Sequence, residues 1–406
     1  MEPFVRRVRI QNYRSIGSCD VTLQGFTLLV GPNASGKSNF LDTLRFVADA
    51  LRSTLEHAIR DRGGIDQVRR RSGGHPNNFG IGLDLGFQDG SAAYFAFRIG
   101  ARPKGGFGVQ TETCRITPPP LSQGGGTYYE VQEGVVQTST AGGPAVIEPD
   151  RLYLPLLSAL PAFRPVYDGL SRLGFYNLNP GRIRELQDPD PGELLSRDGR
   201  NLAAVLRRLM EENPDSYRRV VEYLRAVIPG VHDVRARTIL SKETLEFDQD
   251  VAGARKPWHF LAASMSDGTL RALGVLVALF QGSGRSARPS IPLIGIEEPE
   301  VAIHPGAAVK LMDALHEAEE RTQVIVTTHS PDLLDHPDLD PHQILAVEIR
   351  SGGTVIGEVN SASQSAIRDR LYSAGDLLRL SQMAPSDLAV AASARQMNLF
   401  DFTLGA

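Results

Sequence analysis

The apolar run "FTLLV" leads directly into Gly31-Pro-Asn-Ala-Ser-Gly36-Lys37-Ser38, which satisfies GxxxxGK[ST] at every specified position. Such a loop works only between a buried strand and the start of a helix. Its glycines let backbone N–H groups converge on phosphate oxygens, and the helix that follows turns its positive dipole end toward the same anion. The motif therefore predicts an α/β fold that binds a nucleotide. Lys37 is placed to reach the β- and γ-phosphates and Ser38 to ligate Mg²⁺, with Gly31, Asn33 and Gly36 completing the cradle.

Further along, "LIGIEEPE" puts Glu297 and Glu298 directly after an apolar strand, where carboxylates project from the C-terminal edge of a parallel sheet. Side chains alternate across a strand, so adjacent acids suit different tasks: Glu297 in the metal shell, Glu298 polarising water. A second apolar strand, "QVIVTTHS", ends at His329, a histidine suited to hydrogen-bonding the γ-phosphate. His304 in "AIHPG" precedes a proline at a helix start and reads as a loop-positioning residue. Before the acids lies "SMSDGTLR", a polar loop leading into the apolar helix "ALGVLVALF", in which Ser266 is placed to cap the helix.

The chain of 406 residues is 41% hydrophobic and 22% charged, ordinary for a folded protein. A net charge of −4 excludes a strongly basic nucleic-acid binder without excluding a local basic stripe. Cys19 and Cys114 show neither disulfide nor zinc spacing, which fits a reducing compartment. The N-terminus lacks a signal-peptide core and the longest apolar run is far too short to cross a bilayer, so a cytoplasmic protein without a membrane partner is expected.

"VRRVRIQNYRSI" and "CDVTLQGFTLLVG" read as two strands, and residues 79–99 as a hairpin turning at Asp89-Gly90, giving an antiparallel sheet beside the nucleotide core. Residues 101–146, rich in Gly and Pro, read as long loops between strands. Between 198 and 230, apolar residues at helical spacing predict two short helices broken at Asn213-Pro214.

Taken in order, "IQNYRSI", the phosphate loop, "SDGTLR" in place of the transporter-type LSGGQ, "EEPEVAIHP" and "TTHSPDLLD" resemble the ABC-type and AAA-type ATPases related to RecF, structural-maintenance-of-chromosomes (SMC) and OLD proteins. The resemblance implies an ABC-ATPase head over residues 1–380, with a mostly parallel sheet, a flanking antiparallel sheet and a short helical insertion at about 160–235, followed by a tail at 381–406. It implies ATP and Mg²⁺ as cofactors. It also implies a head-to-tail homodimer in which Ser266 and Gly268 touch the nucleotide held by the other subunit. Glu297 departs from the aspartate usual in the group. Gln187 is a candidate for the glutamine loop, and Arg14 either approaches the nucleotide or lies at the surface. OLD-type nucleases add a metal-dependent domain with a later D-x-D; Glu348 is followed by none, so no nuclease is expected in this chain.

Two segments carry weaker signals. The basic cluster Arg60 to Arg71 offers either phosphate contacts or a solvated surface, with Asp61 and Asp66 diluting it. The tail residues Gln396, Leu399 and Phe400 resemble a peptide that docks on the replication sliding clamp, against the alternative of a segment folded back on its own domain. The expected function is an ATP-driven switch coupled to DNA or to a separate effector, in genome maintenance or antiphage defence. A slowly hydrolysing scaffold that holds a toxin or nuclease is the alternative, and a transporter ATPase is disfavoured by the missing LSGGQ loop.

Overall fold

The computed structural model describes residues 2–74, 76–102, 105–120, 122, 125–142, 146–282, 291–395 and 398–400. Its strands in chain order are β1 (Val5–Tyr13), β2 (Ile16–Thr22), β3 (Phe26–Val30), β4 (Asn78–Gly86), β5 (Ala92–Ala101), β6 (Phe107–Thr117), β7 (Thr127–Gln132) and β8 (Val135–Ser139). There follow β9 (Gly174–Tyr176), β10 (Val231–Ile239), β11 (Lys242–Gln249), β12 (Trp258–Leu261), β13 (Leu293–Glu297), β14 (Gln323–Thr328), β15 (Ile344–Arg350) and β16 (Gly353–Glu358). They fall into two units: one comprises Glu2–Leu173, Asp340–Asp369 and the chain from Ser381, the other Gly174–Leu339 and Arg370–Leu380.

In the first unit the strands lie in the order β8-β7-β6-β5-β4-β1-β2-β16-β15-β3. Val8 and Ile10 of β1 are fully buried, whereas Arg7 and Arg9, which alternate with them, reach solvent, which sets the register of β1 on both β2 and β4. The hairpin expected at Asp89-Gly90 joins β4 to β5, with Gly90 at φ 81°. β3 is buried along its whole length and runs parallel to β15, as an interior strand must when both faces are covered. Phe46, on the helix Lys37–Arg52, meets Tyr13 of β1 and Phe79 of β4 edge to face, at centroid distances of 5.9 and 5.4 Å. This aromatic knot fixes the helix after the phosphate loop against the sheet.

Two expectations are corrected. "CDVTLQGFTLLVG" is two strands, because Gln24 N–H bonds the Thr27 hydroxyl at 3.1 Å and turns the chain between β2 and β3. Residues 101–146 hold β6, β7 and β8: "VQTETCRIT" and "TYYEVQ" are rich in strand formers, and the Gly/Pro clusters only punctuate them. Residues 103, 104, 121, 123, 124 and 143–145 of that stretch lie outside the described residues.

The tail folds back on its own sheet. Leu399 is fully buried, the Tyr94 hydroxyl donates to its carbonyl oxygen, and Arg98 stacks 5.0 Å from the centre of the Phe400 ring. A β-carbon at Gly80 would lie 2.4 Å from Leu399 Cδ1, so the glycine makes the room Leu399 uses. Two side chains that a clamp groove would need are thus already placed, while Gln396 lies outside the described residues.

The second unit holds a parallel sheet centred on β13. β9 and β14 flank β13, both parallel to it. The helix Asp267–Phe280 is apolar nearly all round, with only Asp267 and Arg271 not buried, as befits a helix enclosed by its unit. The two helices expected near 200–230 are Leu202–Glu212 and Pro214–Val227; Asn213 caps the second by accepting from Ser216 N–H. Both pack on a separate antiparallel sheet, β10-β11-β12. Among the described residues no helix is long and apolar enough to cross a membrane.

Glu112 of β6 is fully buried and accepts from the Tyr129 hydroxyl (2.6 Å) and from the N–H groups of Tyr153 (2.6 Å) and Leu154 (2.9 Å). Burial pushes its carboxyl up to about 7, against the donors that favour the anion. The folded state therefore holds a proton that the unfolded state releases above its ordinary value of 4.5. Stability should fall as pH rises from that value through about 7, and Glu112→Gln should flatten the slope in urea unfolding across this window. Separately, Leu399→Ala should cost about 2–4 kcal/mol, seen as a lowered thermal midpoint.

Candidate nucleotide site

The residues singled out from the sequence form two groups, one in each unit. In the first, β3 ends at Gly31 and the helix begins at Lys37. Gly36 takes a left-handed conformation (φ 108°), and a β-carbon there would lie 2.2 Å from Thr354 Oγ1. At Gly31 it would lie 2.0 Å from the Val347 carbonyl oxygen. Both glycines are required by close approach as well as by turn geometry. Lys37 Nζ donates to the carbonyl oxygens of Gly31 (2.7 Å) and Pro32 (2.9 Å), keeping its charge at the loop. Asn33 and Ser38 are exposed, and the buried Ser35 hydroxyl has no hydrogen-bond partner. A cradle floored by backbone, a lysine held at it and an exposed hydroxyl in the first helical turn fit a Mg-nucleotide.

Residues outside the motif set this loop. Thr354 Oγ1 donates to the Ser35 carbonyl oxygen (2.9 Å) and lies 2.7 Å from Ser15 Oγ, which accepts from Asn39 Nδ2 (2.7 Å). Arg14, at φ 49°, is part-buried and not free: it pairs with Asp42 at 3.1 Å and approaches Asn39 at 3.4 Å. Asp42 also holds Arg45 (2.6 Å), Arg62 (3.0 Å) and the Tyr13 hydroxyl (2.7 Å). Burial alone would push the Asp42 carboxyl up, but Arg62, Arg45 and Arg14 outweigh it and hold it below its ordinary value. Part of the basic cluster spends its charge internally: Arg62 is buried in this node and Arg69 pairs with the Asp66 carboxylate, while Arg71 donates to the Asp66 carbonyl oxygen and, like Arg60, stays exposed.

In the second unit, Glu297 and Glu298 engage different partners. Glu297 ends β13 and accepts from Arg197 Nη2 at 2.8 Å. Glu298 turns out of the strand at φ 45°, its N–H bonded to the Thr327 carbonyl oxygen at 3.0 Å, and its Oε1 lies 3.3 Å from His329 Nδ1. A left-handed conformation on a non-glycine residue costs about 1 kcal/mol or more, and such strain concentrates at functional positions. His329 Nδ1 is buried and closes no well-aligned hydrogen bond in this geometry.

Ser266 caps the helix Asp267–Phe280 by accepting from Thr269 N–H at 3.1 Å, and stays exposed. Gly268 is buried: a β-carbon there would meet the Ala302 carbonyl oxygen at 2.1 Å, tying the polar loop to the turn after the acids. Arg184 Nη2 holds the Met265 carbonyl oxygen at 3.0 Å and pairs with Asp267. His304 accepts from Gly306 N–H at 3.0 Å, the loop-positioning role expected of it. Gln187 is buried, its side chain accepting from Ala203 N–H (2.9 Å) and donating to the Ile183 carbonyl oxygen (3.2 Å), so its amide is engaged within its own unit.

Three residues near the acids escaped sequence reading. Glu300 accepts from the Thr328 hydroxyl at 2.5 Å, while its Oε2 is buried without a partner. Burial pushes its carboxyl up, with the Glu298 charge acting in the same direction. Arg271 is half-buried, which lowers its guanidinium, and feels Glu298, Glu300, Asp267 and Glu297. Arg197 lies far from Glu297 in sequence, so no local pattern announces the pair; Glu300 stood inside the quoted "EEPE" and could have been found. Among the described residues no group of three or more His, Cys, Asp or Glu forms a ready-made cation site.

The α/β architecture, the phosphate loop and the ordered motifs define an ATPase head of the AAA type. The chain belongs to the family described as "AAA domain, putative AbiEii toxin, Type IV TA system", whose profile matches residues 26–115 and 162–335. Among solved structures it is similar to an SMC head bound to the C-winged helix domain of ScpA, with 17% identity, a TM-score of 0.55, and coverage of 89% of this chain and 99% of that one. It is also similar to an SMC head domain with an extended coiled coil bound to the C-terminal domain of ScpA derived from Pyrococcus furiosus, with 12% identity, a TM-score of 0.54, and coverage of 91% and 99%. At these identities the likeness is one of fold. No curated protein matches the sequence.

Thr354→Val keeps the side-chain shape and removes the donor to Ser35. It should weaken ATP binding roughly five- to tenfold, read by titration with a fluorescent nucleotide. Unchanged affinity would remove Thr354 from loop positioning.

Proposed function

We propose that residues 1–380 act as one ATP-hydrolysing head that dimerises head to tail around Mg-ATP and couples this closure to a partner. The observation that carries the reading is Glu298, held in a strained conformation at the end of β13 with His329 beside its carboxylate. In this reading Gly31, Asn33 and Gly36 shape the phosphate cradle and Lys37 binds the β- and γ-phosphates. Ser38 and Glu297 hold Mg²⁺, which when bound neutralises phosphate charge. Glu298 accepts the proton of the attacking water, and His329 orients the carboxylate and hydrogen-bonds the γ-phosphate. Ser266, exposed at a helix N-terminus, and the backbone N–H of Gly268 reach the nucleotide of the second subunit.

The coupled partner is DNA or a separately encoded effector, in genome maintenance or antiphage defence. The family's description as a putative toxin of a type IV toxin–antitoxin system favours the effector. Of the basic cluster, Arg62 and Arg69 are held by carboxylates of this chain, while Arg60 and Arg71 stay exposed and keep the DNA alternative open. A cytoplasmic setting suits either partner.

Glu298→Gln should lower turnover by at least a hundredfold and accumulate an ATP-bound dimer in size-exclusion chromatography with light scattering. Lys37→Ala serves as the blank. Wild-type turnover in Glu298→Gln would remove the residue from its catalytic role, and a monomer at saturating ATP would reject the dimer.

A further inference from the structure

Arg197 is presented to Glu297 by a well-tied loop. Asn177 N–H, just past the end of β9, bonds the Arg197 carbonyl oxygen at 3.0 Å, and Asn179 N–H bonds that of Asp198 at 3.1 Å. β9 runs parallel to β13 with Tyr176 opposite Ile296, so the residue after β9 lies beside Glu297. The loop is braced from within. Asn201, itself buried, accepts from Ser196 N–H (2.8 Å) and donates to the Leu194 carbonyl oxygen (3.0 Å) and to Asp190 (3.1 Å). The Arg197 side chain is 47% exposed and that of Glu297 17%, so the guanidinium can swing into water while the carboxylate stays in place. Arg271 adds further positive charge toward the same acids.

We propose that Arg197 is a resident counter-ion that competes with Mg²⁺ for Glu297, so that metal loading requires the guanidinium to leave and lowers the apparent affinity for the metal. The proposal rests on the assignment of Glu297 to the metal shell. A carboxylate oxygen engaged by a charge-assisted hydrogen bond cannot give the same lone pair to a cation, and the two positive charges repel at contact distance. Because the loop backbone is tied, only the side chain must move, and its release leaves Arg197 free to meet another anion.

The test titrates Mn²⁺ into the full-length protein with a non-hydrolysable ATP analogue, following the electron paramagnetic resonance signal of free Mn²⁺. Steady-state hydrolysis against Mg²⁺ concentration runs in parallel. Arg197→Gln should tighten Mn²⁺ binding roughly threefold, the size expected for release of a partly exposed pair, and lower the Mg²⁺ concentration for half-maximal rate. Arg197→Lys, which retains charge, should stay near wild type. Glu297→Gln should weaken Mn²⁺ binding whatever Arg197 does. If Glu297→Gln leaves binding unchanged, the metal-shell assignment fails and takes the proposal with it. If Glu297→Gln weakens binding but Arg197→Gln does not tighten it, the assignment stands and the competition is wrong.

Discussion

Two glycines of the phosphate loop lie against the C-terminal hairpin with no space for a β-carbon. Gly31 faces the Val347 carbonyl oxygen and Gly36 faces the Thr354 hydroxyl. Much of the first unit is arranged to keep that contact. β15 runs alongside β3 so that Val347 comes to rest behind the loop, and β16 touches β2 through Thr354 and Ile16. Ser15, just before β2, joins the same hydroxyl chain. On the other side, the aromatic knot and the Asp42 node hold the helix that the loop feeds. Removing one partner from a buried ion pair costs about 3–5 kcal/mol, because it strands the remaining charge. Displacing Asp42 would therefore loosen the cradle from its helical side.

The acid end of β13 follows another logic. Three carboxylates within four residues would repel one another, and the chain offsets them with its own groups: Arg197 on Glu297, His329 on Glu298, Thr328 on Glu300, and Arg271 near all three. The divergence of Glu297 and Glu298 comes from the positive φ of Glu298 more than from strand alternation.

Much of this was readable in advance, and the reasons differ by element. The phosphate loop is legible because its chemistry is local: each demand falls on a residue within eight positions. The break at Asn213-Pro214 is legible because a cap and a helix-starting proline stand side by side. The turn between β2 and β3 was missed because apolar alternation runs through it, and only the Thr27 hydroxyl reveals the bend. β6 to β8 were obscured by glycine and proline clusters that mark their ends. Arg197, Arg271 and Thr354 were invisible as site residues because their meaning comes from partners distant in sequence. Gln187 shows the converse, a residue of the right type whose amide the fold had already claimed.

The hairpin of β15 and β16 carries a consequence for how the protein is made. β3 and its glycine loop leave the ribosome early, while the strand that runs beside β3 and the threonine that fixes the loop arrive only with Ile344–Arg350 and Gly353–Glu358. Pairings between strands so distant in sequence form late, after much of the chain is available. A partly synthesised chain therefore carries the complete phosphate-binding sequence without the floor that shapes it.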